Sequence, residues 1–258
     1  MPIKFKNQAK TSKRIGLSGK GGCGKSYAIT NLYKKPIVFD LEKKWSTEPP
    51  FNKIPTVDIG ISPDYNSVMT GLIDILNLDE KFIKDGKYEA IVIDTVSEME
   101  AYCIAHAVQN DYKGSKAGYS DFHRGDNNEL PMYFAEFLKL LQDIETKFNI
   151  DVLLICHSAL GTEKNPMGQD YGKTLLDLKK RPTAKVLKWL DYLGCVYEDV
   201  DLDIKGIQTK IKGTTRMVSF DNASPFFDAK CMKQGGDVTV PFDIQGKWIN
   251  KILKQEKK

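Results

Sequence analysis

The stretch that most constrains this chain is GLSGKGGCGKSYAITN, residues 16–31. Gly19, Gly24, Lys25 and Ser26 satisfy the pattern G-x-x-x-x-G-K-[ST]. A short apolar run, RIGLS, leads into it, and residues 25–34 leave it with the character of a helix. Glycines in such a turn let backbone N–H groups point inward around phosphate oxygens. The helix N-terminus adds the positive end of its dipole. The chain must therefore contain a strand–loop–helix unit shaped for a phosphate chain. Gly19, Lys20, Gly21, Gly22, Cys23, Gly24, Lys25, Ser26 and Tyr27 form the expected nucleotide cradle. Lys25 reaches the β- and γ-phosphates, and the Ser26 hydroxyl takes a place on Mg²⁺. ATP and Mg²⁺ are the cofactors this loop implies.

Beyond the loop, apolar strands alternate with helices. PIVFD (36–40), YEAIVID (88–94) and DVLLICHS (151–158) are near-continuous apolar runs, and TVDIGI (56–61) reads as a further strand. Residues 65–76, 97–110 and 129–148 have helical spacing. Continuous apolar strands between helices define a parallel sheet covered on both faces. After residue 190 the pattern becomes GCVYEDVDLDIKGIQTKIKGTTRMVSFD, strands with turns expected at Lys205-Gly206 and Lys212-Gly213. The expected fold is α/β: a mostly parallel central sheet flanked by helices, with C-terminal antiparallel hairpins. The expected organisation is a basic N-terminal segment (1–13), one domain (14–245) and a basic tail (246–258) carrying a helix in KWINKILKQEKK.

Composition narrows the setting. The cysteines at 23, 103, 156, 195 and 231 are scattered without zinc spacing, as reduced cytoplasmic thiols are. No run approaches the ~20 apolar residues of a membrane span. The first residues have no apolar stretch that reads as a signal peptide. A net charge of +4 permits nucleic-acid contact without arguing for it.

Three acids and a histidine stand at strand ends. Asp94 closes AIVID and is the expected second anchor for the metal, beside Ser26. Water must also be oriented or deprotonated. Glu42, just past PIVFD, and Glu98, in DTVSE, are the candidates. Glu98 falls in the first turn of a helix, where the dipole alone favours an acid. Glu42 faces the nucleotide crevice and is preferred. His157 ends VLLICH at the carboxyl edge, where open α/β sheets bind ligands, and is expected to touch the γ-phosphate or the attacking water. The expected catalytic set is Lys25, Glu42, Asp94 and His157.

Two resemblances follow from these motifs. KGGCGKS is similar to the loop of the ParA and MinD partition ATPases, in which the earlier lysine, here Lys20, reaches across a dimer to the partner's nucleotide. The ordered set GKGGCGKS, VFDLE, YEAIVIDTVSEM, LLICHS, WLDYLGCVYEDV and PFFDAKCM resembles the phage RecA-like ATPases of the Sak-four type, over residues 14–243. That second resemblance implies a RecA-like P-loop NTPase core and a protein of the host cytoplasm with no membrane partner. It implies ATP hydrolysis, single-stranded DNA binding, and annealing or strand exchange. It also implies assembly as a ring or filament and a phage single-strand DNA-binding protein as partner. It supports Glu42 as the catalytic carboxylate. It places His157 where relatives carry a polar γ-phosphate sensor, commonly glutamine, and Lys230 where a basic residue could reach the next subunit's nucleotide. The alternatives are a nucleotide-switched dimer of the partition type and an accessory ATPase acting on a protein.

DNA contact is expected in two segments. Residues 111–128 mix Lys113, Lys116 and Arg124 with Tyr112, Tyr119 and Phe122. Residues 160–182 carry Lys164, Tyr171, Lys173, Lys179, Lys180 and Arg181. Cations hold phosphates while aromatic rings stack bases, and polar loops this long inside compact domains are usually either functional or disordered.

Overall fold

A computed structural model describes residues 12–45, 51–205, 208–222, 224–232 and 238–249. Most of the segments set apart at 1–13 and 246–258 lies outside these residues. The phosphate loop joins β1 (Arg14–Gly19) to α1 (Lys25–Leu32), and β2 (Pro36–Asp40) follows. The helices α2 (Tyr65–Asn77) and α3 (Glu80–Gly86) lead to β3 (Ala90–Asp94) and α4 (Val96–Asn110). Two short helices, α5 (Lys116–Ser120) and α6 (Arg124–Asn127), precede the long α7 (Glu129–Phe148). Then come β4 (Asp151–Glu163), β5 (Tyr171–Leu176), α8 (Lys180–Trp189), β6 (Tyr192–Lys205), β7 (Gln208–Ser219), β8 (Lys230–Cys231) and β9 (Thr239–Pro241).

The sheet runs β2-β3-β4-β1-β6-β7-β9. The first five strands are mutually parallel, whereas β7 and β9 are antiparallel. This is the expected α/β architecture with its C-terminal antiparallel strands. The apolar strands feed two cores by simple alternation. Ile91, Ile93, Val152 and Leu154 face α2, α4 and α7, while Val92, Leu153, Ile155 and Leu17 face α1 and the C-terminal strands. Burial on both faces is what a continuous apolar run requires. The second core takes in Trp248 and Ile249, so part of the basic tail is packed against the domain.

Three expectations change. TVDIGI forms no strand; only Thr56 bridges to Val38. Lys212-Gly213 is no turn. The β6–β7 ladder steps from Asp201↔Gly213 to Leu202↔Ile211, leaving Lys212 as the extra residue of a bulge. Residues 160–182 are no open loop, because β4 continues past the core and pairs antiparallel with β5 from Ser158↔Leu176 to Glu163↔Tyr171.

Candidate active site

The phosphate loop is built by its backbone. Gly24 caps α1 at φ 93°, a left-handed conformation that favours glycine. Gly19 has a steric reason as well: a Cβ there would stand 2.7 Å from the Val196 carbonyl oxygen. Lys25 is buried, and its ammonium donates to the carbonyls of Gly19 (2.7 Å) and Lys20 (2.9 Å). Lys20 itself is exposed at the tip of the loop.

Strand register assembles the acids. Asp40 on β2 lies opposite Asp94 on β3, and Gly19 on β1 lies opposite His157 on β4. The two aspartates do different work. Asp40 accepts the backbone N–H groups of Lys44 (3.0 Å) and Trp45 (2.7 Å), which folds the chain after β2 back on itself. That turn delivers the Trp45 indole N–H to Asp94 Oδ2 at 2.7 Å. The Ser26 hydroxyl donates to the same oxygen at 2.7 Å. Burial pushes the Asp94 carboxyl above its ordinary value, against the pull of the Ser26 and Trp45 hydrogen bonds. A buried carboxylate meeting a hydroxyl supplies the hard oxygen donors that Mg²⁺ takes. Among the described residues no group of three or more His, Cys, Asp or Glu could hold a metal. The Ser26 hydroxyl and the Asp94 carboxylate are the two oxygen donors that would hold Mg²⁺ here.

Glu42 and His157 meet beside this pair. Glu42 Oε1 lies 2.6 Å from His157 Nε2 and accepts from the Thr95 hydroxyl at 3.2 Å, while Oε2 pairs with the Lys44 ammonium. Burial works to raise the Glu42 carboxyl, but the hydrogen bonds and charges of Lys44 and His157 outweigh it, and the net shift is downward. Lys25, Ser26, Glu42, Asp94, Thr95 and His157 line one cavity of about 510 Å³, together with Tyr27, Trp45 and Phe51. Glu98 does not line it; its backbone N–H is capped by Thr95 Oγ1 in the first turn of α4. Sequence reasoning missed Trp45, Thr95 and Lys44. Their signal was position, since Thr95 follows Asp94 and DLEKKW leaves the strand-end acids.

Lys230 is elsewhere. β8 pairs with the start of β6, the sheet edge remote from the loop. Its ammonium donates to the carbonyls of Leu187 (2.9 Å) and Leu190 (2.5 Å) at the end of α8, and burial lowers its pKa. A lysine so placed completes a helix C-terminus.

The two expected DNA segments are folded and adjacent. Lys179 Nζ lies 3.3 Å from Asp126, and Arg181 Nε donates to Asn127 at 2.8 Å. Lys113, Lys116, Arg124, Lys164 and Lys180 are exposed. Lys113 follows the last turn of α4, ~22 Å along its axis from the site. Lys173 forms an ion pair with Asp228 at 2.9 Å, both side chains largely covered. Tyr119 corrects the expectation of a stacking platform: its ring is 5% exposed and its hydroxyl donates to Asp126 at 3.0 Å. The segment holds a compact helical cap that needs this ring inside.

Fold and site together define a P-loop ATPase core. A family model described as AAA domain matches residues 11–230, and the chain belongs to that family. Among solved structures, the RadB recombinase is similar over 91% of this chain and 89% of its own, at 12% identity and a TM-score of 0.47. A KaiC-like protein from the hyperthermophilic archaeon Pyrococcus horikoshii is similar over 91% and 87%, at 14% identity and a TM-score of 0.42. No curated protein matches the chain.

Proposed function

We propose that the protein hydrolyses ATP with Mg²⁺ and couples the reaction to single-stranded DNA. The observation that carries the ATPase reading is the Glu42–His157 contact beside the Ser26–Asp94 pair within one cavity. The loop amides and Lys25 hold the phosphate chain. When bound, Mg²⁺ would neutralise charge on the β- and γ-oxygens, held by Ser26 and Asp94. Glu42, kept ionised by Lys44 and His157, orients water and accepts its proton. His157 stays in hydrogen-bond reach of Glu42 and answers to its protonation.

The DNA part rests on placement. β4 passes through His157 into the β4–β5 hairpin, and Arg124, Lys164 and Lys180 are exposed on that hairpin and the segments beside it. No helix among the described residues is long and apolar enough to cross a membrane. The fuller reading is a phage recombination protein of the host cytoplasm, one domain over 14–245. It would assemble as a ring or filament beside a single-strand DNA-binding protein and promote annealing or strand exchange. The exposed Lys20 favours a second reading, a nucleotide-switched dimer. ATP hydrolysis measured with and without single-stranded DNA, beside Lys25→Ala, decides between them. A marked rise with DNA that Lys25→Ala abolishes supports the first. A slow rate indifferent to DNA, with ATP-dependent dimers that Lys20→Ala abolishes, supports the second.

A further inference from the structure

The hydrolytic groups all stand on one flank of the phosphate loop, that of β2, β3 and β4. The other flank, formed by β6 and β7, also carries a cation. In the β6–β7 ladder Val196 pairs with Val218, and Glu198 with Arg216. Val196 is level with Gly19, so Arg216 stands beyond the carboxyl edge of the sheet. Val218, two residues on, is buried against α1, so alternation directs Arg216 to the α1 side as well. A Cβ added at Gly24 would lie 3.7 Å from Arg216 Nη1 and 3.4 Å from Ile244. The backbone there is fixed, since the Phe242 N–H donates to the Arg216 carbonyl at 2.8 Å and Asn31 Nδ2 donates to the Ile244 carbonyl at 2.8 Å. The guanidinium is exposed and makes no hydrogen bond or ion pair among the described residues.

We propose that Arg216 is a second cation of the nucleotide site, holding the α- and β-phosphates from the flank opposite Glu42 and His157. This rests on the ATPase reading and deepens it. An unpaired guanidinium beside a helix N-terminus is a strong partner for phosphate oxygens, through short charge-assisted hydrogen bonds. A phosphate chain laid across the loop has its γ-end at Ser26, Asp94 and Glu42. The end near Gly24 and Arg216 is the part shared by ATP and ADP. Arg216 therefore serves binding rather than hydrolysis.

The test compares wild type, Arg216→Ala and Arg216→Lys by equilibrium titration with ATP·Mg²⁺ and ADP·Mg²⁺, and by kcat at saturating ATP. Arg216→Ala is expected to bind both nucleotides about tenfold more weakly, by similar factors. Its kcat should stay within about twofold of wild type, and its melting temperature without nucleotide should be unchanged. Arg216→Lys should recover part of the affinity. Wild-type affinity in Arg216→Ala, or a fall in kcat alone, overturns the assignment while leaving the ATPase reading intact. Failure of the wild type to bind either nucleotide removes both.

Discussion

Glu42→Gln tests the hydrolytic arrangement most directly. The change keeps the side chain's shape and removes its charge. In the native site one carboxylate oxygen faces His157 and Thr95 and the other faces Lys44. The amide can still accept from one side but presents N–H to the other, so it neither pairs with Lys44 nor takes a proton from water. A positioned general base contributes about 10²–10⁴-fold. The expected fall in kcat has that size, about 2.7–5.5 kcal/mol of barrier. ATP affinity should change by less than about threefold, because no partner of Glu42 belongs to the phosphate loop. The pH profile adds a sign. The folded-state pKa lies below the ordinary 4.5, so the Glu42 contribution to stability is complete above that value. It disappears as pH falls through the folded value, and the wild-type rate should fall in the same acid window. Single-turnover phosphate release beside equilibrium binding measures both quantities. Glu98→Gln is the control and should hydrolyse normally. Retention of kcat within about fivefold in Glu42→Gln, or an equal loss in Glu98→Gln, would refute the reasoning.

Lys25→Ala should abolish measurable nucleotide binding. It should also lower the melting temperature by a few degrees, since two loop carbonyls lose their donor at about 1–3 kcal/mol. Trp45→Phe removes the indole hydrogen bond to Asp94, so the Mg²⁺ concentration for half-activity should rise several-fold. The Trp emission change on ATP·Mg²⁺ should also shrink, read by fluorescence titration. Lys164→Ala with Lys180→Ala should weaken single-stranded DNA binding and flatten its salt dependence by up to ~0.7 for each phosphate no longer neutralised. Lys173→Ala should act chiefly on stability, through Asp228. Glu100 accepts the Lys179 N–H at 2.7 Å, and burial pushes its carboxyl up to about 7. The folded state therefore holds a proton that the unfolded chain releases near 4.5, and stability falls as pH rises between those values. Glu100→Gln should flatten melting curves over that window and be the more stable form at pH ~8.

What was legible in the sequence was whatever a local pattern encodes. The helix read over 129–148 has the bounds of α7, because its apolar residues repeat without interruption on one face. Lys25, Ser26, Glu42, Asp94 and His157 converge because strand ends in a parallel sheet share one edge. The failures are non-local. Polarity makes 111–128 read as a DNA-contacting loop with Tyr119 free to stack, yet Tyr119 is covered and satisfied by Asp126, a contact composition does not announce. Lys212-Gly213 carries the chemistry of a turn, but β6 pairs Asp201 with Gly213 and Leu202 with Ile211, and Lys212 becomes the extra residue of a bulge. Trp45 reaches Asp94 only because Asp40 turns the chain, and Arg216 reaches the loop only through the β6–β7 register.

The strand that bears His157 shows why site and surface belong to one argument. The parallel ladder of β4 with β1 ends at Gly19↔His157, and its antiparallel ladder with β5 begins at Ser158↔Leu176. The strand thus passes from core sheet to projecting hairpin at the residue that touches Glu42. The His157 backbone is held on both sides, by Ser97 Oγ at 3.3 Å and by the Asp177 N–H at 2.9 Å. The outer strand of the hairpin is tied to the 226–228 segment through Thr174 and the Lys173–Asp228 pair. A change of charge at Glu42 acts on a ring fixed at that junction. None of the ladder bonds of β4 with β1 or β3 lies past His157, so the hairpin beyond it is held by its own β4–β5 pairing and by the 226–228 segment rather than by the core sheet.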